Sequence, residues 1–229
     1  MNDVPECLWL LRHAETRTPN VFHGAESDVD LSALGERQAE ALGQWFHGLQ
    51  PDVVVSSGML RARRTAAAIA HVCGIPHVVE STLHERKVGH LSGKPFDTIE
   101  GLWADTVAAW SAGHIDFTTP EAESYVEVRS RALGGWERIL KEHAGKRVVV
   151  VAHGITCKIL LLSLLPGYGP EGWHRLGRIP NVAVTPLTIA AGIWQAESVA
   201  QIPETVASLN GGRPTGLGII PSPSSHTTK

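Results

Sequence analysis

The chain has 229 residues, 43% of them hydrophobic and 19% charged, an ordinary balance for one globular domain with a sizeable core. Its 20 basic and 23 acidic residues leave a net charge of -3, so no positive excess exists to pair with a nucleic-acid backbone or an anionic membrane. Cys7, Cys73 and Cys157 are odd in number and far apart, which predicts neither a disulfide framework nor a CxxC site and makes a reducing cytoplasm the expected setting. The first residues lack a signal-peptide pattern, and the longest apolar run, near 159–165, is too short to span a bilayer.

In chain order, short apolar runs alternate with helical periodicities. Leu8 to Leu11 predicts a buried strand that ends at Arg12 and His13. Ser32 is placed to cap a helix with Leu34, Ala41, Leu42, Trp45, Phe46 and Leu49 on its apolar face. Val53 to Val55 predicts a second strand, and Leu60 to about Val72 an alanine-rich helix stopped by Gly74 and Pro76. His77 to Glu80 reads as an edge strand. Ile99, Leu102, Trp103, Val107 and Trp110 share a face of a helix over 96–110. Val128, Ala132, Trp136, Ile139 and Leu140 do the same over 125–143. Arg147 to Ala152, with four valines in succession, is the clearest buried strand. A helix over 154–165 and strands over 182–188 and 193–199 complete the pattern. From Asn210 the composition turns to glycine, proline, serine and threonine, and a disordered tail over 210–229 is expected after a domain over 1–209.

Four segments place chemistry where a strand ends or a helix begins, the position at which open α/β sheets bind ligands. In Leu11-Arg12-His13-Ala14-Glu15-Thr16, a histidine leaving a strand is aimed by its backbone. Imidazole attacks phosphorus well and leaves well, and arginine can neutralise phosphate oxygens. A surface Arg–His pair is the bland alternative. In Ser56-Ser57-Gly58-Met59-Leu60-Arg61-Ala62-Arg63-Arg64-Thr65, a strand turns into a helix whose N-terminus favours an anion. Arg61, Arg64 and Thr65 share a face, and the alternative, a solvated basic helix face, fits Arg63 and Arg64 better than Arg61. Glu85 sits in a loop and could protonate a leaving alkoxide, although a lone loop glutamate is usually solvated. Ala152-His153-Gly154 repeats the first arrangement, with a glycine that lets the backbone approach an anion. The remaining histidines fit no HExxH or compact zinc spacing, so no metal site is predicted.

Together, and in this order, the four segments resemble the histidine phosphatase superfamily, also called the phosphoglycerate mutase-like family. The likeness runs to about Val199 and includes Asp30-Leu31-Ser32, Gly35 and Gln38-Ala39. It implies an α/β fold, a three-layer α/β/α sandwich with a mostly parallel sheet and a small helical lid inserted over about 94–145. It implies that His13 becomes phosphorylated, that Glu85 is general acid and base, and that Arg12, Arg61, His153 and Gly154 hold the phosphoryl group. Where the family often has a tryptophan–asparagine pair, this chain has Arg17-Thr18-Pro19-Asn20, leaving Asn20, His23 and Gly24 as candidates to line the substrate pocket. Glu123 and Ser124 resemble a lid motif that would contact substrate. The implied activity is metal-independent, cofactor-free hydrolysis of a small-molecule phosphate ester. The insertion between Glu85 and His153 is shorter than in the family's mutases, which favours transfer to water over return to substrate. A phosphoglycerate mutase-type transferase and a non-catalytic phospholigand-binding protein are the alternatives. The aromatic lid helices would permit a homo-oligomer.

Overall fold

In a computed structural model that describes residues 4–210, six strands form one sheet. They are β1 (Cys7–Arg12), β2 (Val53–Ser56), β3 (His77–Val79), β4 (Arg147–Ala152), β5 (Val184–Ala190) and β6 (Ile193–Ala196). Their order is β3-β2-β4-β1-β5-β6; the first four run parallel, and β5 and β6 complete the sheet antiparallel. The valine runs are buried on both faces because helices cover both, as parallel strands joined by helical crossovers require.

The alternation of side chains divides the core in two. Leu8, Leu10, Val53, Val55, Val148 and Val150 pack with helices α3 (Phe96–Ser111), α4 (Tyr125–Glu142) and α5 (Gly154–Leu164). Trp9, Leu11, Val54, Val149 and Val151 pack with α1 (Ala33–Leu49) and α2 (Leu60–Cys73). A short α6 (Trp173–Leu176) follows α5, and α7 (Glu204–Ala207) lies near the end of the described chain. The result is the expected sandwich. Ser32 caps α1 by accepting from the Gly35 N–H at 2.9 Å.

Four expectations change, the simplest being β6, which ends at Ala196 rather than Val199. Leu102, expected on the buried face of α3, is 47% exposed, while Thr106 takes a buried position. Within the expected lid insertion, α3 borders the cavity described below, but α4 buries Val128, Ala132, Trp136 and Ile139 in the same core cluster as α5. An apolar stripe that long belongs against the sheet. Strand β5 starts at Val184 rather than Val182, because Val182 has φ +60° and its N–H turns to the Arg12 carbonyl at 3.1 Å. The expected tail lies outside the described residues beyond Asn210. No helix among the described residues is long and apolar enough to cross a membrane.

Candidate active site

Strands β1 and β4 are adjacent and parallel, with Arg12 paired to Ala152, so His13 and His153 emerge side by side at their carboxyl ends. Their ring centroids are 5.1 Å apart and both residues are buried. His13 is fixed through its own backbone: its N–H donates to the Ala152 carbonyl at 3.0 Å, and its carbonyl accepts from Asn181 Nδ2 at 2.9 Å. The next residue, Ala14, is tied to α2 through Thr65 Oγ1 at 3.0 Å. His13 Nδ1 lies 2.7 Å from the Ala14 carbonyl. A carbonyl can only accept, so Nδ1 carries the proton and the lone pair is on Nε2. Burial, reinforced by the charges of Arg61 and Arg12, holds His13 well below the usual imidazole range, and its ring is neutral at pH 7. Burial, with Arg61, His13 and Arg12, does the same to His153. His153 Nε2 bonds Ser57 Oγ at 2.7 Å, whereas its buried Nδ1 has no hydrogen-bond partner among the described residues. Beside His13, Val182 keeps a left-handed backbone that a β-branched residue rarely adopts, a strain concentrated at this end of β1.

The two arginines come from different layers. Arg61, in the first turn of α2, is 1% exposed and donates to the carbonyls of Ser27 and Gly24. Arg12 donates from Nη1 to the Ile179 carbonyl at 2.7 Å, and its buried Nε has no hydrogen-bond partner among the described residues. Burial, then Arg178, brings Arg12 down to about 10, against the pull of Glu85; it stays charged at neutral pH. A Cβ on Gly154 would stand 3.4 Å from the Arg12 guanidinium, so glycine gives this arginine room beside α5. Arg63 and Arg64 are exposed on α2, and Arg64 pairs with Glu36 and Asp30 instead of joining Arg61.

Glu85 is 6% exposed and its carboxylate sits at the N-terminus of α5. Oε1 accepts from Arg86 N, Thr156 N and Thr156 Oγ1, while Oε2 accepts from Ile155 N at 3.1 Å. Both helix starts expected to hold an anion therefore engage carboxylates of the chain itself, since the Leu60 N–H of α2 donates to Asp28 at 2.6 Å. The loop carrying Glu85 is clamped from behind. Arg131 of α4 donates to the carbonyls of Thr82, His84 and Glu85 at 2.8, 2.7 and 3.2 Å. Its fork also grips Glu123 at 2.8 and 2.9 Å. Burial would raise the Glu123 carboxyl, but the Arg131 fork and the Lys87 N–H prevail and hold it low. Glu123 is thus an anchor for the Glu85 loop, and Ser124 forms a capping box with Glu127 at the start of α4. Neither lines the cavity, contrary to the substrate contact expected of them.

A cavity of about 710 Å³ opens over these groups. It is bordered by Arg12, His13, Arg61, Glu85 and Gly154, and by Asn20 and His23 of the loop after β1. Gly24 is not at its wall. It is packed where a Cβ would meet Glu26, Val88 and the Arg86 carbonyl, and its own carbonyl supports Arg61. His153 stands one layer behind, against His13. Lys158, Trp173, Arg178 and Asn181, which no sequence pattern singles out, also border the cavity. Trp103 also lines it, whereas Trp110 is fully buried with its indole N–H on the Phe117 carbonyl.

Buried neutral histidines between two arginines and a carboxylate, at the carboxyl ends of a mostly parallel sheet, define an α/β protein of the phosphoglycerate mutase-like class. The chain belongs to the histidine phosphatase superfamily, branch 1, whose model matches residues 8–202. It is 30% identical over 195 residues to a protein of Citrobacter koseri named probable phosphoglycerate mutase GpmB, covering 82% of this chain and 87% of that one. It is 28% identical over 188 residues to the Bacillus subtilis (strain 168) protein named uncharacterized phosphatase PhoE, covering 81% and 90%. Among solved structures, a mycobacterial glucosyl-3-phosphoglycerate phosphatase superposes with a TM-score of 0.73 at 26% identity, over 86% of this chain and 99% of that one.

Proposed function

We infer that this chain is a phosphatase that hydrolyses a small phosphomonoester and carries the phosphoryl group transiently on His13. The observation that carries the reading is the His13 tautomer: with Nδ1 committed to the Ala14 carbonyl, the lone pair is on Nε2, in a residue that borders the same cavity as Arg12 and Arg61. In the first step Nε2 forms a bond to phosphorus while the ester P–O bond breaks. Glu85, protonated on Oε2, gives its proton to the departing alkoxide. In the second step the Glu85 carboxylate takes a proton from water, the water oxygen bonds to phosphorus and the N–P bond breaks, releasing inorganic phosphate. Arg12 and Arg61 hold the equatorial oxygens and balance their charge, while His153 backs the His13 ring, so this route needs no metal ion or cofactor. The partner is a small phosphate ester and the expected location the cytoplasm. The relatives named as phosphatases support hydrolysis. A mutase-type transfer is the second reading, favoured by the likeness to the probable phosphoglycerate mutase.

The test is hydrolysis of p-nitrophenyl phosphate in excess EDTA by wild type and His13→Ala, with acid-labile phosphoprotein measured after rapid quenching. Activity that survives EDTA, and is lost together with the phosphoprotein in the variant, is the expected result. Turnover retained by His13→Ala would remove the mechanism. Label passing from a phosphoglycerate donor to a second phosphoglycerate faster than to water would establish the mutase reading instead.

A further inference from the structure

One side chain at the cavity wall has no part in the chemistry above, yet its amide nitrogen is spent on the backbone of the nucleophile. Asn181 lies in the connection between α6 and β5. Its Nδ2 donates to the His13 carbonyl at 2.9 Å and to the Ala14 carbonyl at 3.3 Å. Those partners stand 168 and 167 positions earlier in the chain, so neither bond serves a local turn. Both acceptors are carbonyls, which fixes the amide orientation: a flipped side chain would set its oxygen against two others. The Ala14 carbonyl is also the group on which His13 Nδ1 rests, at 2.7 Å. A backbone carbonyl has two lone pairs, and here the imidazole N–H takes one and the Asn181 amide the other. The same connection holds the end of β1 at two further points. Ile179 accepts from Arg12 Nη1 at 2.7 Å, and the Val182 N–H donates to the Arg12 carbonyl at 3.1 Å. Val182 keeps its strained φ of +60° while making that bond, which brings the adjacent Asn181 onto the two carbonyls.

We propose that Asn181 is a positioning residue that keeps His13 in its Nδ1–H tautomer by pinning the Ala14 carbonyl. The proposal rests on the reading of His13 as nucleophile and deepens it. The ring is oriented by a neutral carbonyl, and a carbonyl holds a tautomer only while it points at the ring. Without the Asn181 donor, the Ala14 peptide is free to turn, and the proton can settle on Nε2 instead. That tautomer has no lone pair to offer phosphorus. The effect falls on one step of the two. Before transfer, the lone pair must be on Nε2, so formation of the phosphohistidine depends on Asn181. After transfer, Nε2 carries phosphorus and the proton stays on Nδ1, so no choice of tautomer remains while water cleaves the N–P bond.

The test compares wild type with Asn181→Ala and Asn181→Asp; the aspartate keeps the shape of the side chain and, ionised, has no donor. Rapid-quench labelling with dinitrophenyl phosphate reads phosphoenzyme formation, and loss of label from isolated phosphoprotein reads its hydrolysis. Formation should slow about a hundredfold in both variants, the cost of a misaimed nucleophile, while hydrolysis stays within about threefold of wild type. Long-range ¹H–¹⁵N NMR of the ligand-free protein reads the His13 tautomer directly. Wild type should show the Nδ1–H form alone, and each variant a second form at about a tenth of the population or more, the scale of one lost hydrogen bond. Should the alanine variant fail to fold, the isosteric aspartate carries the comparison. Unchanged formation, equal losses in both steps, or a single Nδ1–H tautomer in the variants overturns the positioning role. A tautomer that shifts on substitution while wild type forms no phosphohistidine supports that role and defeats only the phosphatase reading.

Discussion

Arg131 offers the most direct way to separate how Glu85 is aimed from how the protein is held together. Its guanidinium satisfies the carbonyls of Thr82, His84 and Glu85 and grips both oxygens of Glu123, with side-chain exposures of 15% and 13% for the ion pair. Arg131→Gln removes the fork and leaves a largely buried carboxylate and three carbonyls short of donors. Breaking such a pair costs about 3 kcal/mol, the lower end for buried pairs because some water reaches this one. For a chain of this size that lowers Tm by roughly 6–12 °C. The second consequence is chemical. A misplacement of Glu85 on the order of 1 Å costs about a hundredfold in a step that needs its proton. Phenyl phosphate needs that proton and dinitrophenyl phosphate does not, so kcat/KM should fall about a hundredfold for the first and only a few-fold for the second. Glu85→Gln should show the same selectivity. A uniform loss across both leaving groups, alongside the fall in Tm, would refute the positioning role and leave Arg131 a structural residue.

Other outcomes follow from single contacts. His13 and His153 are held neutral, so their imidazole NMR signals should show no titration near pH 6.5 in the ligand-free protein; a midpoint there would contradict their burial. Because the unfolded chain takes up those protons and the native state does not, unfolding free energy should fall as pH drops below about 6.5 toward the lowered native values. A Cβ on Gly35 would stand 2.0 Å from the Glu15 carbonyl, so Gly35→Ala should cost about 2–3 kcal/mol in urea denaturation and disturb the segment after His13. Ser124→Ala should cost about 1 kcal/mol through the lost capping box, with KM for p-nitrophenyl phosphate unchanged; a raised KM would return Ser124 to the substrate.

Much of this architecture was legible because its signals are local. The valine run of β4, the cap at Ser32 and the two strand-end histidines each follow from periodicity or residue type over a few positions. What escaped depends on chain segments meeting across the fold. Lys158 in an apolar helix looks like a stray polar residue until Trp173 and Gly177 close over it. Arg131 reads as the polar side of an amphipathic helix, and only the packing of α4 against the 82–85 loop reveals its clamp. Gly24 departs from expectation for a related reason: glycine signals close approach, but not whether a ligand or the chain itself approaches. Val182 reads as strand from its neighbours, whereas the backbone of Arg12 and His13 draws it into a turn.

The pairing of Arg12 with Ala152 has a consequence for how the sequence can change. The two histidines owe their common level to the backbone ladder between β1 and β4, not to contacts of their own rings. Exchanges among valine, isoleucine and leucine within either strand alter volume and leave that level intact. A single residue gained or lost in one strand would turn every following side chain to the opposite layer and carry its histidine away from the other. Drift by substitution is therefore open to these two strands, while variation in length is confined to the loops that frame the cavity.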